Sequence, residues 1–261
     1  MDELAEECRA FGGKAVVKAT DVSDPEQVQQ LMENAIDAFN EIDVWVNDAG
    51  VGAVGRFDEI PVEDHLQLVG TNLLGTIYGS HTALKFFKLR GQGVLINIAS
   101  ALGKIPAPYY ASYTASKYGI VGLSAALRQE LSEDGLDDIR VCTVMPMAMD
   151  TPFFEHAANY TGRQAVPIPP VYDATKVIDV IVELAEQPEN EVIVGAAGKM
   201  FNAAHNLFPV GVEGFMATQT HKAQIEKAPV ADFSPGALHQ PTRTGNGISG
   251  GWLQKEKAAK S

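Results

Sequence analysis

Two hydrophobic rhythms alternate along the chain. Short, mainly apolar runs occur at 42–46, 94–99, 139–145 and 191–194. Runs of that length, rich in Val and Ile, predict strands buried on both faces. Between them the apolar residues recur at helical spacing. Val28, Leu31, Ala35, Ile36 and Phe39 predict a helix from Pro25 to about Asn40, capped by Asp24. Leu66, Val69, Leu73, Ile77, Leu84 and Phe87 predict one long helix from Val62 to about Arg90. Gly70, Gly75 and Gly79 interrupt it, each at about 1 kcal/mol against Ala, which points to close packing against a neighbour. Helices are also predicted over 1–11, stopped by Gly12-Gly13, over 113–134, stopped by Gly135, and over 173–186. Ala15-Val16-Val17-Lys18-Ala19 reads as a further strand. Strands alternating with helices predict an α/β protein with a parallel sheet covered on both faces.

Two segments depart from the alternation. Residues 147–171 carry Pro152, Phe153, Phe154, Tyr160, Pro167, Pro169 and Pro170, and a loop of that length inside a compact domain is usually a lid or a binding loop. From about 196 onward the composition changes: 199–218 predicts an amphipathic helix, and 228–251 a Pro/Gly-rich extended stretch. The domain reading is therefore a core over 1–195 with an extension over 196–261.

At 261 residues and 46% hydrophobic, the chain can bury one large core. A net charge of −13 argues against nucleic acid as a partner. Nowhere are there 18 consecutive apolar residues, so no membrane span is expected. Met1-Asp2-Glu3-Leu4-Ala5-Glu6-Glu7 is acidic, unlike a signal or transit peptide, and Cys8 and Cys142 suggest no disulfide framework. A cytoplasmic location is the expectation. The six histidines show no metal-ligand spacing, so no metal is expected.

The candidate chemistry centres on Ser100 and on Tyr113-Thr114-Ala115-Ser116-Lys117. Tyr113 and Lys117 are four apart and share a helix face. A cation beside a phenol favours the phenolate and lowers its pKa from about 10, making the tyrosine a usable acid–base near neutral pH. Ser100 ends the run Val94–Ala99, which places its hydroxyl at the carboxyl edge of the sheet, where open α/β proteins hold ligands. Asn72 is a polar residue within the long helix. It either has a role there or simply bonds a backbone carbonyl.

In order along the chain, these residues resemble the short-chain dehydrogenase/reductase superfamily of the compact one-domain type. Asp21-Val22 resembles the pair that contacts the adenine ring. Asn47-Asp48-Ala49-Gly50 resembles the family's Asn-Asn-Ala-Gly turn, with Asp48 for the second Asn. Asn72, Ser100, Tyr113 and Lys117 match the catalytic tetrad, and Pro146 and Thr151 resemble the ends of the Pro-Gly…Thr segment bordering the nicotinamide. The resemblance implies a doubly wound, Rossmann-like sheet and a hydride transfer between NAD or NADP and an alcohol or ketone. Tyr113 would be the acid/base, Lys117 would lower its pKa and bind the nicotinamide ribose, Ser100 would orient the substrate oxygen, and Asn72 would hold a water of a proton relay. It also implies a homo-oligomer through the helices 62–90 and 113–134. Leu102, Tyr109, Tyr110, Phe153, Phe154 and Tyr160 are candidate walls for an apolar substrate.

Two departures from the family pattern stand out. Met147 follows Pro146 where the family has glycine. The family also opens with a strand, a Gly-rich phosphate turn, a helix and a second strand before anything like residue 1, so the sheet is expected to be N-terminally incomplete. With the central strand lacking, 15–19 would have no neighbour and 42–46 would become an edge. The residue that selects NAD over NADP would fall in that part, which leaves coenzyme preference unreadable. The alternatives are a non-catalytic fragment or interaction module on this scaffold, or an epimerase or dehydratase of the extended branch, against which the Asn-x-Ala-Gly turn and the short C-terminal region argue.

Overall fold

The computed structural model describes residues 1–242, 245 and 247–258. Its core is a four-stranded parallel sheet of β1 (Val44–Asn47), β3 (Gly93–Ile98), β4 (Ile139–Pro146) and β6 (Glu191–Val194), in the order β1-β3-β4-β6. β3 pairs Trp45 with Leu95 on one side and Ile96 with Cys142 on the other, so its apolar run is covered along both edges and both faces. One face packs on α2 (Pro25–Phe39), α4 (Gly75–Arg90) and α5 (Ala111–Glu133), through Val28, Met32, Phe87 and Leu131 against Trp45, Leu95 and Val141. The other face carries Ile96, Cys142 and Val144 against Leu184 of α7 (Thr175–Glu186). The α/β fold with a parallel sheet read from the alternation is present, in the Rossmann-like form that the resemblance implies.

Local signals account for most boundaries. Asp24 caps α2 by accepting from the amide of Glu26 at 2.9 Å, Pro25 occupies its first turn, and Asn40 closes it in the left-handed conformation. The predicted helix 62–90 is α3 (Val62–Val69) and α4 joined by a widened π turn over Gly70–Leu74. Its glycines have different reasons. A methyl on Gly75 would meet Val22, and one on Gly79 would stand 2.0 Å from Asn47 Oδ1 and 3.0 Å from Trp45 Nε1. Gly70 has nothing within 4 Å and opens the π turn instead. The close approach at Gly79 serves a polar network inside the core. Trp45 Nε1 donates to Asn47 Oδ1 at 2.8 Å, Asn47 Nδ2 donates to Asn97 Oδ1 at 2.8 Å, and Asn97 Nδ2 donates to Ser124 Oγ at 3.0 Å.

Three expectations need correction. Residues 15–19 form no strand, because no strand among the described residues lies beside them to complete a ladder. Val16 and Val17 are accordingly 48% and 38% exposed, and β1 is paired on one side only. The stretch 147–171 is not irregular throughout: it holds α6 (Phe153–His156) and β5 (Ala158–Asn159), which pairs in parallel with β2 (Ala53–Val54). The single helix predicted over 199–218 is two, α8 (Ala196–Leu207) and α9 (Pro209–His221), because Pro209 cannot continue α8 and starts α9. After α9 comes a second π turn over Lys222–Lys227, and α10 (Trp252–Ala258) lies near the end. The extension is stitched back onto the core. Asn159 and Ser234 form a β-bridge, and the amide of Trp252 donates to Asp150 Oδ1 at 2.7 Å.

Gly79→Ala is expected to force Asn47 out of its network and to destabilise the fold by about 1–3 kcal/mol, read from the urea midpoint. An unchanged midpoint would show that the network can move aside.

Candidate active site

The carboxyl end of β3 and the first two turns of α5 build the site together. Leaving β3, the chain is still extended at Ser100, whose Oγ accepts from the amide of Leu102 at 3.1 Å and caps the short turn Ala101–Gly103. With one lone pair engaged there, the Ser100 hydroxyl keeps its proton for a partner on the cleft side, which it lines together with Tyr113. Tyr113 and Lys117 stand one turn apart on α5, as the spacing predicts, with Nζ 5.6 Å from the centre of the Tyr113 ring. Lys117 is 4% exposed and donates to the carbonyl of Ile98, the last residue of β3, at 2.9 Å.

The electrostatics differ from the expectation that Lys117 depresses the tyrosine. Burial pushes Tyr113 up to about 12; the Ser100 hydrogen bond pulls it down, and the negative charge of Asp48 adds to the rise. Burial also pushes Lys117 down to about 8, partly offset by Asp48. Desolvation therefore dominates both groups, and near neutral pH the phenol holds its proton. In this state Tyr113 is arranged to give a proton rather than take one.

Asn72 is fully buried in the first π turn. Its Oδ1 accepts from the amide of Val51 at 2.8 Å, while Nδ2 donates to the Val51 carbonyl at 3.0 Å and to Ser116 Oγ at 3.3 Å. It thus clamps the glycine turn after β1 to α5. Gly50 lies in this turn against the site: a Cβ there would touch Asn72 Oδ1 at 3.5 Å and Lys117 Nζ at 3.7 Å, ordinary van der Waals contact.

These residues open onto a cavity of about 470 Å3. Gly50, Ser100, Tyr113, Lys117, Pro146 and Thr151 line it, together with Asp48 and Met147. Asn72 sits behind the wall. The remaining cofactor candidates are not on it: Asn47 is spent in the core network, Ala49 is exposed in the turn, Asp21 bonds Ser23, and Val22 packs against Gly75. Met147 is accommodated by two glycines. A methyl on Gly198 would stand 2.8 Å from its sulfur, and one on Gly195 would be 3.0 Å from its Cγ. Of the predicted apolar walls, Leu102, Tyr110, Phe153 and Phe154 are present. Tyr109 is instead turned to His221 Nδ1, 2.7 Å from its hydroxyl, and the Tyr160 hydroxyl donates to Asp64. The far wall comes from the extension, through Phe201, Phe215, Met216 and Gln219, which the sequence pattern did not single out. Helical spacing in 199–218 signalled an apolar face there, but not what that face covers.

A nicotinamide nucleotide fits this chemistry. Lys117 is a buried ammonium with one backbone acceptor and further donors, beside a glycine whose missing side chain leaves room for a ribose.

Comparison with known proteins points the same way. A family model described as short chain dehydrogenase matches residues 1–162. An uncharacterised oxidoreductase of Bacillus subtilis is 28% identical over 97% of this chain and 72% of its own length. The 3beta-hydroxysteroid dehydrogenase 1 of Eggerthella lenta is 37% identical over 60% of this chain, which spans 61% of that protein. A solved short-chain dehydrogenase from Streptomyces avermitilis superposes with a TM-score of 0.68 at 23% identity, covering 85% of this chain and 86% of that one. An alcohol dehydrogenase from Thermococcus sibiricus, complexed with 5-hydroxy-NADP, does so with a TM-score of 0.63 at 22% identity, covering 74% and 79%.

The buried ammonium makes a stability prediction. Lys117 ionises near 8 in the fold, against 10.5 ordinarily. Between those values the unfolded chain carries the proton and the folded chain does not, so stability rises with pH through the window. Urea unfolding at about pH 7.5 and about pH 9.5 should show this rise, and Lys117→Met should lack that component. Equal pH slopes in the two proteins would show that Lys117 stays charged in the fold.

Proposed function

The chain belongs to the short-chain dehydrogenases, an NAD(P)-dependent oxidoreductase, and on that premise we propose that it interconverts a bulky apolar secondary alcohol and its ketone, with Tyr113 as the proton-transfer group. The observation that carries this reading is the phenol of Tyr113, one helical turn from the Lys117 ammonium and facing, with Ser100, a largely apolar cavity. The bound nicotinamide supplies or accepts the hydride.

The residues then divide the work. In carbonyl reduction Tyr113 gives its proton to the substrate oxygen as charge develops there. Ser100, its lone pair held by Leu102, directs its hydroxyl proton at the same oxygen and fixes the carbonyl's orientation. Lys117 holds the nicotinamide ribose with the donors left after Ile98. Pro146 and Thr151 would border the nicotinamide, and Gly50 would lie against its ribose. Asn72 acts by holding Val51 and, through Ser116, α5. The apolar walls from Phe153, Phe154 and the α8–α9 pair favour a large hydrocarbon skeleton, because each buried apolar contact contributes about 25 cal/mol per Å2. The hydroxysteroid dehydrogenase named among the relatives is consistent with such a skeleton.

Tyr113→Phe removes one oxygen and should lower ketone reduction by about 10²–10⁴-fold while nucleotide binding persists. Reduction surviving within tenfold sinks the reading. The negative charge of Asp48 disfavours ionisation of Tyr113, so Asp48→Asn should move the rise of alcohol oxidation with pH toward lower pH. A profile displaced upward, or not displaced, would mean that another group governs that limb.

A further inference from the structure

Gln224 lies in the second π turn, far along the chain from the tetrad, and is fully buried. Its amide is used from both ends. Nε2 donates to the Tyr110 hydroxyl at 2.7 Å and to the Val166 carbonyl at 2.5 Å, and Oε1 accepts from the Val166 amide at 3.3 Å. Both donors and one acceptor position are taken, so the amide has one satisfied orientation. π turns are rare, and many mark functional sites.

Tyr110 is the residue before α5 begins, and it is buried. Its ring meets the Tyr113 ring edge-on, centres 6.4 Å apart at 67°. Phe153 packs on another side of Tyr113 at 5.7 Å, and the Lys117 ammonium lies 5.6 Å from the ring centre. The direction of the Tyr113 phenol is therefore set by a ring whose own hydroxyl is held by Gln224. Tyr109, beside it, adopts a left-handed backbone at φ 69°, which costs about 1–2 kcal/mol for an L residue. Its hydroxyl bonds His221, one turn before Gln224. The extension thus grips both tyrosines that precede the catalytic helix. The Val166 bonds tie the same amide to the loop whose Ile168, Pro169 and Pro170 line the cavity.

We propose that Gln224 is a positioning residue: acting through the Tyr110 hydroxyl, it aims the Tyr113 phenol at the substrate oxygen and locks the loop 157–171 onto α5. This rests on Tyr113 being the proton-transfer group. The mechanism needs that phenol within hydrogen-bond reach of the substrate oxygen and of Ser100 together, and an error of about 1 Å there costs about a hundredfold in rate.

The test is a double-mutant cycle on the full chain with saturating NAD(P)H and one ketone substrate. Gln224→Met keeps the length and removes the hydrogen bonds; Tyr110→Phe removes a single oxygen. Each should lower kcat tenfold or more while KM for NAD(P)H stays within twofold, and the double variant should be no worse than the poorer single one. Tyr113→Phe runs in parallel: if it keeps activity, the functional reading itself fails. With Tyr113→Phe inactive, kcat within twofold of the parent in both single variants overturns the proposal. So do losses that multiply in the double variant, or losses carried by KM alone. Should Gln224→Met fail to fold, Tyr110→Phe decides alone by the same kcat criterion. Phe87→Leu, on α4, is the stability control and should lower the unfolding midpoint without changing kcat. Amide hydrogen exchange at 109–114 should rise in Gln224→Met, and unchanged protection there also counts against the proposal.

Discussion

A buried ammonium bonded to the last carbonyl of a strand holds the site together. Lys117 reaches from α5 to Ile98 at 2.9 Å, so the helix that carries Tyr113 cannot slide along the strand that ends at Ser100. The cation is desolvated in making that bond, and its ionisation falls to about 8. The same dryness raises Tyr113 to about 12. Site geometry and site electrostatics are thus two consequences of one burial. Asp48, the acidic residue in the turn after β1, opposes the loss of charge on Lys117 and adds to the reluctance of Tyr113 to ionise.

Behind the site, polar groups are organised as strictly as the apolar core. Asn47, Asn97 and Ser124 bond in sequence across β1, β3 and α5, and Trp45 completes the row. Such a network is stable only when every member is satisfied, and Gly79 makes it possible by letting α4 approach where a methyl group would collide. Asn72 does similar work one layer forward, where the π turn places it to read both backbone groups of Val51. The glycines at 75 and 79 and the buried asparagines are therefore parts of one packing solution.

The extension is packed around the site. It supplies the far wall of the cavity, holds Tyr109 and Tyr110 through His221 and Gln224, and is bridged to the loop 157–171 by the pairs Asn159–Ser234 and Arg163–Val230. A pocket closed by a segment remote in sequence can change its shape without disturbing the sheet that carries the chemistry. Met147 shows the same accommodation on a small scale, since its bulk is received by glycines at 195 and 198.

What the sequence by itself determined was whatever repeats locally: the apolar runs of β3 and β4, the cap of α2 at Asp24, and the ordered set Asn72, Ser100, Tyr113 and Lys117. These follow from short-range sterics and from spacings of one helical turn, which a linear chain displays. A strand at 15–19 could not be settled that way, because a strand exists only when a second strand supplies its hydrogen bonds. Likewise only the tertiary structure decided that Asn47 faces the core rather than the cavity, that burial pushes the Tyr113 ionisation up, and that Gln224 reaches Tyr110. Each depends on atoms brought together from distant parts of the chain and on how much water that meeting leaves.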